Sequence, residues 1–200
     1  DIGLRGVRHL AQDYLLAANP VTHLDAAHSL YERADNLTDR LAALRWITHY
    51  EEVEKREAVL ADFYSRWRHE TLVVNQWLTV QATRPNVDCV ESVQALITHP
   101  AFDWRNPNKL RALIGAFAGA NPIAFHREDG AGYRLMGEVI ERLQASNPQI
   151  AARMLAPITR WRRYAVGQVA MRAELERLAA IDPLPKDVFE VVTKALEEPS

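Results

Sequence analysis

Hydrolytic and metal chemistry needs imidazoles, carboxylates or thiolates at short fixed spacings. The chain carries seven histidines, His9, His23, His28, His49, His69, His99 and His126, scattered along 200 residues. No HExxH sets two of them on one helix face around a general base. Asp25 and His28 come nearest to ligand spacing, and they read as a partly buried histidine on an amphipathic helix. His126-Arg127-Glu128 imitates the H-x-E of zinc deaminases, but Cys89 is the single cysteine, so the cysteine pair of that motif is missing. One thiol also excludes an internal disulfide and fits reducing surroundings. There is no GxSxG elbow and no Walker loop. Gly130-Ala131-Gly132 is too short for a phosphate cradle and reads as a turn.

The cations are more informative. Arg111 interrupts Asn106 to His126, a stretch otherwise apolar on most sides, and Lys109 lies beside it. A guanidinium there must find a partner or reach a water-filled space, because burying it unpaired is costly. Either it forms a buried ion pair between helices, or it faces an anion such as a carboxylate. Arg153 is a similar case among Ile150, Ala151, Ala152 and Met154. Arg160, Arg162 and Arg163 flank Trp161 and Tyr164. That mixture suits a nucleic-acid surface, but with a net charge of −2 it reads better as cations at a helix C-terminus around a core tryptophan. Gly115 and Gly119 form a G-x-x-x-G, read as close approach of a neighbouring helix in the same domain.

These residues sit on a succession of helices. Leu4, Val7, Leu10, Ala11 and Tyr14 give the first stripe, entered directly from Asp1 as in a piece of a longer protein, and Asn19-Pro20 ends it. Thr22 with Asp25 starts the second helix, and Thr38 caps a third. A fourth runs from about Val53 to Arg68, with Glu52 and Arg56 spaced for an i,i+4 pair. A fifth ends before Pro85, and Asp88 caps a sixth. Asn106 then caps the central helix, with Pro107 at its first position and Leu110, Leu113, Ile114 and Phe117 inward. A turn-rich passage follows from Asn121 to Gly132. Beyond it lie a long helix through Tyr133 to Leu143, one begun by Asn147-Pro148 that Pro157 should kink or end, one carrying Met171, Leu175 and Leu178, and a last one opened by Pro185.

No segment alternates with period two, so the expected class is all-α. About eleven helices with short connections imply antiparallel neighbours. Helix pairs in series stack as an irregular right-handed superhelix, an α-solenoid of HEAT or armadillo type, over a single domain of residues 1–200. The weak net charge draws neither nucleic acid nor anionic lipid, and no apolar run is long enough to span a bilayer.

Four blocks together resemble the C-terminal region of bacterial aminopeptidase N. They are TDRLAALRW at Thr38 to Trp46, FYSRW at Phe63 to Trp67, NPNKLRALIGAFAGANPIAFHREDGAGY at Asn106 to Tyr133, and NPQIAARMLAPITRWRRY at Asn147 to Tyr164. Their order also matches, and TKALE at Thr193 to Glu197 agrees with the family's C-terminus. The resemblance implies the helical domain that covers the active-site cavity of a cytoplasmic zinc metallo-aminopeptidase and controls peptide access. The zinc ligands and general base would lie in an upstream catalytic domain, leaving no cofactor and no catalytic residue in this chain. It also implies that Arg111 and Arg153 line the peptide cavity. Lys109, where the family more often has arginine, keeps the charge at the cavity wall without the bidentate grip. The alternative is a free-standing helical module that binds a protein on a concave surface.

Overall fold

The computed structural model describes residues 2–197. Asp1, expected at the entry to the first helix, lies outside them. Every regular element among the described residues is helical, as the periodicity requires, and none of these helices is long and apolar enough to cross a membrane. The chain divides into two compact units, Asp1–Arg84 and Pro85–Ser200.

In the first unit α1 (Ile2–Ala18), α2 (Pro20–Arg33), α3 (Leu37–Tyr50), α4 (Val53–Trp67) and α5 (Thr71–Ala82) follow in series. The connection 34–36 is short enough to turn α3 back along α2. α1 rests on α2 and α3, and α3 also packs on α4 and α5. The core is built from Tyr31, Leu44, Trp46, Ile47, Phe63, Trp77 and Leu78. Trp77 keeps its indole N–H satisfied at the Leu60 carbonyl, 3.0 Å away. Three local expectations change. α2 and α3 are capped by Asn19 and Asn36, whose side chains accept from Thr22 N and Asp39 N, so Thr22 and Thr38 already lie inside helices. Arg56 pairs with Glu57 rather than Glu52, and the i,i+4 pair there is Glu51–Lys55. The α1 stripe is solvent-facing: Leu4, Val7, Leu10 and Tyr14 are all exposed and only Leu16 is buried, because α2 and α3 cover the other side.

The second unit begins with α6 (Cys89–Ile97). The central stretch then divides into α7 (Pro107–Leu110), a π segment (Arg111–Gly115), α8 (Ala116–Ala120) and α9 (Pro122–Phe125). It is therefore not one regular helix, and the expected turn-rich passage starts with a helical turn capped by Asn121. α10 (Ala131–Gln144) packs on α6, α9, α11 (Pro148–Met154) and α13 (Gln168–Ala179). Pro157 breaks the following helix as its missing N–H demands, leaving α12 (Ala156–Thr159) and a 3-10 turn (Trp161–Arg163). α14 (Lys186–Leu196) closes against α11 and α13 through Val188 and Val192. Phe117, Phe125 and Tyr133 form an edge-to-face series at the core, with ring centroids 5.8 and 5.3 Å apart.

Candidate functional site

The site is built on the start of the central stretch. Asn106 caps α7, accepting from Asn108 N at 2.9 Å and Lys109 N at 3.4 Å, while Pro107 at the first position gives up no needed donor. Leu110, Leu113, Ile114 and Phe117 are buried, which anchors the inward face as their spacing predicts. Arg111 opens the π segment, a rare wide turn that recurs at functional positions. Its side chain is exposed and curls back along α7, with Nε donating to the Pro107 carbonyl at 3.3 Å and Nη2 to Asn108 Oδ1 at 2.6 Å. Both acceptors are neutral. The buried ion pair that was one reading of this residue is therefore excluded, and the remaining N–H donors of the planar guanidinium stay available.

Lys109 is half-buried. Burial lowers its ammonium pKa, and the nearby Asp103 carboxylate acts the opposite way. Asp103 is itself held below the usual carboxylate range, first by the Arg105 backbone N–H. Arg153 lies on α11, exposed, and its side chain makes no hydrogen bond or ion pair among the described residues. Lys109 and Arg111 thus share one stretch, and Arg153 comes from another element.

The other candidates turn out to hold the fold. His126 pairs with Tyr133 rather than Glu128: the tyrosine hydroxyl lies 2.8 Å from Nδ1, and the imidazole stacks on Tyr164 at 4.4 Å. Burial lowers the His126 pKa and raises that of Tyr133. Gly167 makes the cluster possible, because its φ of 81° and the nearness of Tyr133 Oη, 2.1 Å from where a Cβ would stand, both require glycine. Trp161 is buried, as expected, with Arg162 over its ring at 4.1 Å. Arg162 donates to the carbonyls of Ala195 at 2.7 Å and Glu197 at 2.6 Å, so of these cations Arg162 serves a helix C-terminus, that of α14. His28 bonds to Glu51 at 2.7 Å, half-buried on its amphipathic helix. The G-x-x-x-G expectation fails. Gly119 has open space around it and Gly115 meets only its own helix, whereas the close approach is at Gly132, where a Cβ would stand 2.3 Å from the Phe125 carbonyl oxygen.

Among the described residues no three His, Cys, Asp or Glu side chains come together as a metal site. The chemistry available here is charge and hydrogen-bond donation toward an anion.

Residues 1–197 match the family described as "Domain of unknown function (DUF3458_C) ARM repeats". The chain belongs to that ARM-repeat family. The repeat architecture expected from serial helix pairs is thus the family's own. This ARM-repeat chain is 44% identical to Haemophilus influenzae aminopeptidase N over 198 residues, 98% of the chain and 22% of that protein. It is 39% identical to Escherichia coli aminopeptidase N over 199 residues, again 98% and 22%. The match lies in the C-terminal part of these relatives, as the sequence blocks imply. The crystal structure of Legionella pneumophila aminopeptidase A in complex with aspartic acid superposes with a TM-score of 0.90 at 31% identity, covering 97% of the ARM-repeat chain and 23% of that one. The chain spans about a fifth of the length of the curated relatives it matches.

Two features of the site escaped sequence reasoning. The π segment has no composition signal, and the Arg111–Asn108 contact is one of many rotamers open to an exposed arginine. The role of Gly132 was within reach, since glycine at the edge of a strong helical pattern often marks close packing.

Proposed function

We propose that the chain is the C-terminal helical domain of a zinc-dependent aminopeptidase that removes N-terminal amino acids from peptides. The observation that carries this is 44% identity over 98% of the chain to the C-terminal part of aminopeptidase N. So continuous a match favours this reading over a free-standing interaction module. In this reading residues 1–200 form one domain that covers the active-site cavity and limits peptide access, acting in the cytoplasm against an upstream catalytic domain. Zinc polarises the scissile carbonyl and activates water in such enzymes. Among the described residues no set of side chains fits a zinc site, and in this reading the metal and the hydrolytic groups belong to the upstream catalytic domain.

The chain's own contribution is positive charge at the chamber wall. Arg111 and Arg153, exposed and unmatched by carboxylates among the described residues, donate to the far carboxylate or backbone carbonyls of a bound peptide. Lys109 adds field without the planar fork. A charge-assisted hydrogen bond contributes about 1.5–3 kcal/mol, or roughly one to two decades in affinity. In the full-length protein, Arg111→Ala and Arg153→Ala should leave Tm nearly unchanged and raise KM for peptides by about 10- to 100-fold. Chromogenic amino acid amides, which lack the far carboxylate, should change less. Early unfolding of both variants, or equal effects on peptides and amides, would refute the assignment.

A further inference from the structure

We infer that Asn108 is a positioning residue that holds Arg111 ready for the peptide's carboxylate; this rests on the chamber-wall reading above. An exposed arginine samples many rotamers, and a ligand that needs one of them must meet the cost of ordering it. Arg111 is already ordered. Its Nη2 donates to Asn108 Oδ1 at 2.6 Å and its Nε to the Pro107 carbonyl at 3.3 Å, two contacts from one planar group that fix the plane itself. Arg153 carries the same charge with no such hold.

The asparagine has no competing duty at this helix start. Asn106 supplies the cap, accepting from the backbone N–H groups of Asn108 and Lys109, so Asn108 Oδ1 is left for the guanidinium. Being neutral, Oδ1 fixes the arginine without cancelling its charge, which an aspartate there would do. The side chain is exposed, so its loss opens no cavity. The contact also reaches back one turn from the mouth of the π segment, so the wide turn and the hold act on the same residue.

The test is a double-mutant cycle in the full-length protein, with Asn108→Ala, Arg111→Ala and the double variant assayed on peptides and on amino acid amides. Asn108→Ala should raise peptide KM by about 2- to 12-fold, the change that matches ordering one long side chain. Its kcat and Tm should hold. The double variant should equal Arg111→Ala alone, because a positioning residue has nothing left to position. Additive effects would overturn the inference, as would an unchanged peptide KM in Asn108→Ala beside a raised one in Arg111→Ala. A drop in Tm with equal effects on both substrates would make Asn108 structural and overturn it as well. No effect of Arg111→Ala would sink the chamber-wall reading itself, and the inference with it.

Discussion

Arg162 and Arg163 are adjacent, carry the same charge and are both exposed, yet they should respond to truncation in opposite ways. Arg162 donates to the Ala195, Leu196 and Glu197 carbonyls that α14 leaves unpaired at its end, and it lies over the Trp161 ring. Arg163 has no side-chain partner among the described residues. Charge-assisted bonds to carbonyls contribute about 1.5–3 kcal/mol when sheltered, but this guanidinium is exposed and screened. Cation–π stacking at such a site adds about 0.5–1 kcal/mol, and a cation at a helix C-terminus about 0.3–1 kcal/mol. After truncation the Ala195 carbonyl keeps the Trp161 indole N–H at 3.0 Å, and water reaches the other two. Arg162→Ala should therefore cost about 1–2 kcal/mol, which for a chain of this size lowers Tm by about 2–8 °C. Arg163→Ala should stay within about 0.5 kcal/mol of the parent. Thermal unfolding of the two variants side by side decides the matter. Equal shifts, or a larger one for Arg163, would refute the capping argument. If instead both arginines serve a nucleic-acid surface, neither should alter Tm and both should weaken polynucleotide binding.

Two glycine substitutions should have opposite signs. Gly132→Ala drives a Cβ into the Phe125 carbonyl and should destabilise by about 1–3 kcal/mol, whereas Gly119→Ala meets open space and should gain about 0.5–1 kcal/mol of helix propensity; denaturant midpoints would show both. His49 supplies a pH dependence. Burial holds its pKa down at about 4 while its Nε2 donates to the Val80 carbonyl, so the native state binds fewer protons than the unfolded one. Its contribution is therefore complete above pH ~6.5 and is lost as pH falls toward 4, by up to about 3 kcal/mol. His49→Gln, which keeps a donor and cannot titrate, should flatten stability over that window.

The four Asn-Pro dipeptides show how far local rules carry. Asn106-Pro107 and Asn147-Pro148 read as helix starts and are starts. Asn19-Pro20 reads as a stop and Asn121-Pro122 as a loop, yet both are also caps, with the asparagine accepting from the residue three positions on. The same physics operates at all four. What misled the reading was the next residues, Thr22 and Asp25 offering a rival cap and the run to Gly132 suggesting a turn. Helix existence followed periodicity throughout, because apolar spacing reports a buried face directly. The location of that face was less secure. On α1 the regular stripe is the exposed one, since periodicity names a face without naming its neighbour.

Arg111 shows the same division at the candidate site. Its oddness on an apolar stretch is plain, and of the two outcomes that the sequence allows, a buried partner or a water-filled space, the first requires cover on every side. Ala112, Gly115, Ala116 and Ala118 are only half-buried and Gly119 is exposed, and such small side chains leave little apolar area in water. The guanidinium can therefore stay at the edge of that face without a carboxylate. Other arginines of the same unit do take carboxylates: Arg127 with Glu91 and Asp129, Arg172 with Glu176, Arg177 with Glu141 and Glu174. Among the described residues of this unit Arg111, Arg142, Arg153, Arg160, Arg162 and Arg163 are exposed arginines with no acidic partner. Charge pairing narrows the choice to these six, and our proposal takes Arg111 and Arg153 from among them. Of the two arginines in the proposal only Arg111 has its guanidinium held by hydrogen bonds among the described residues, which is why truncating Asn108 probes the proposal more sharply than removing any one charge.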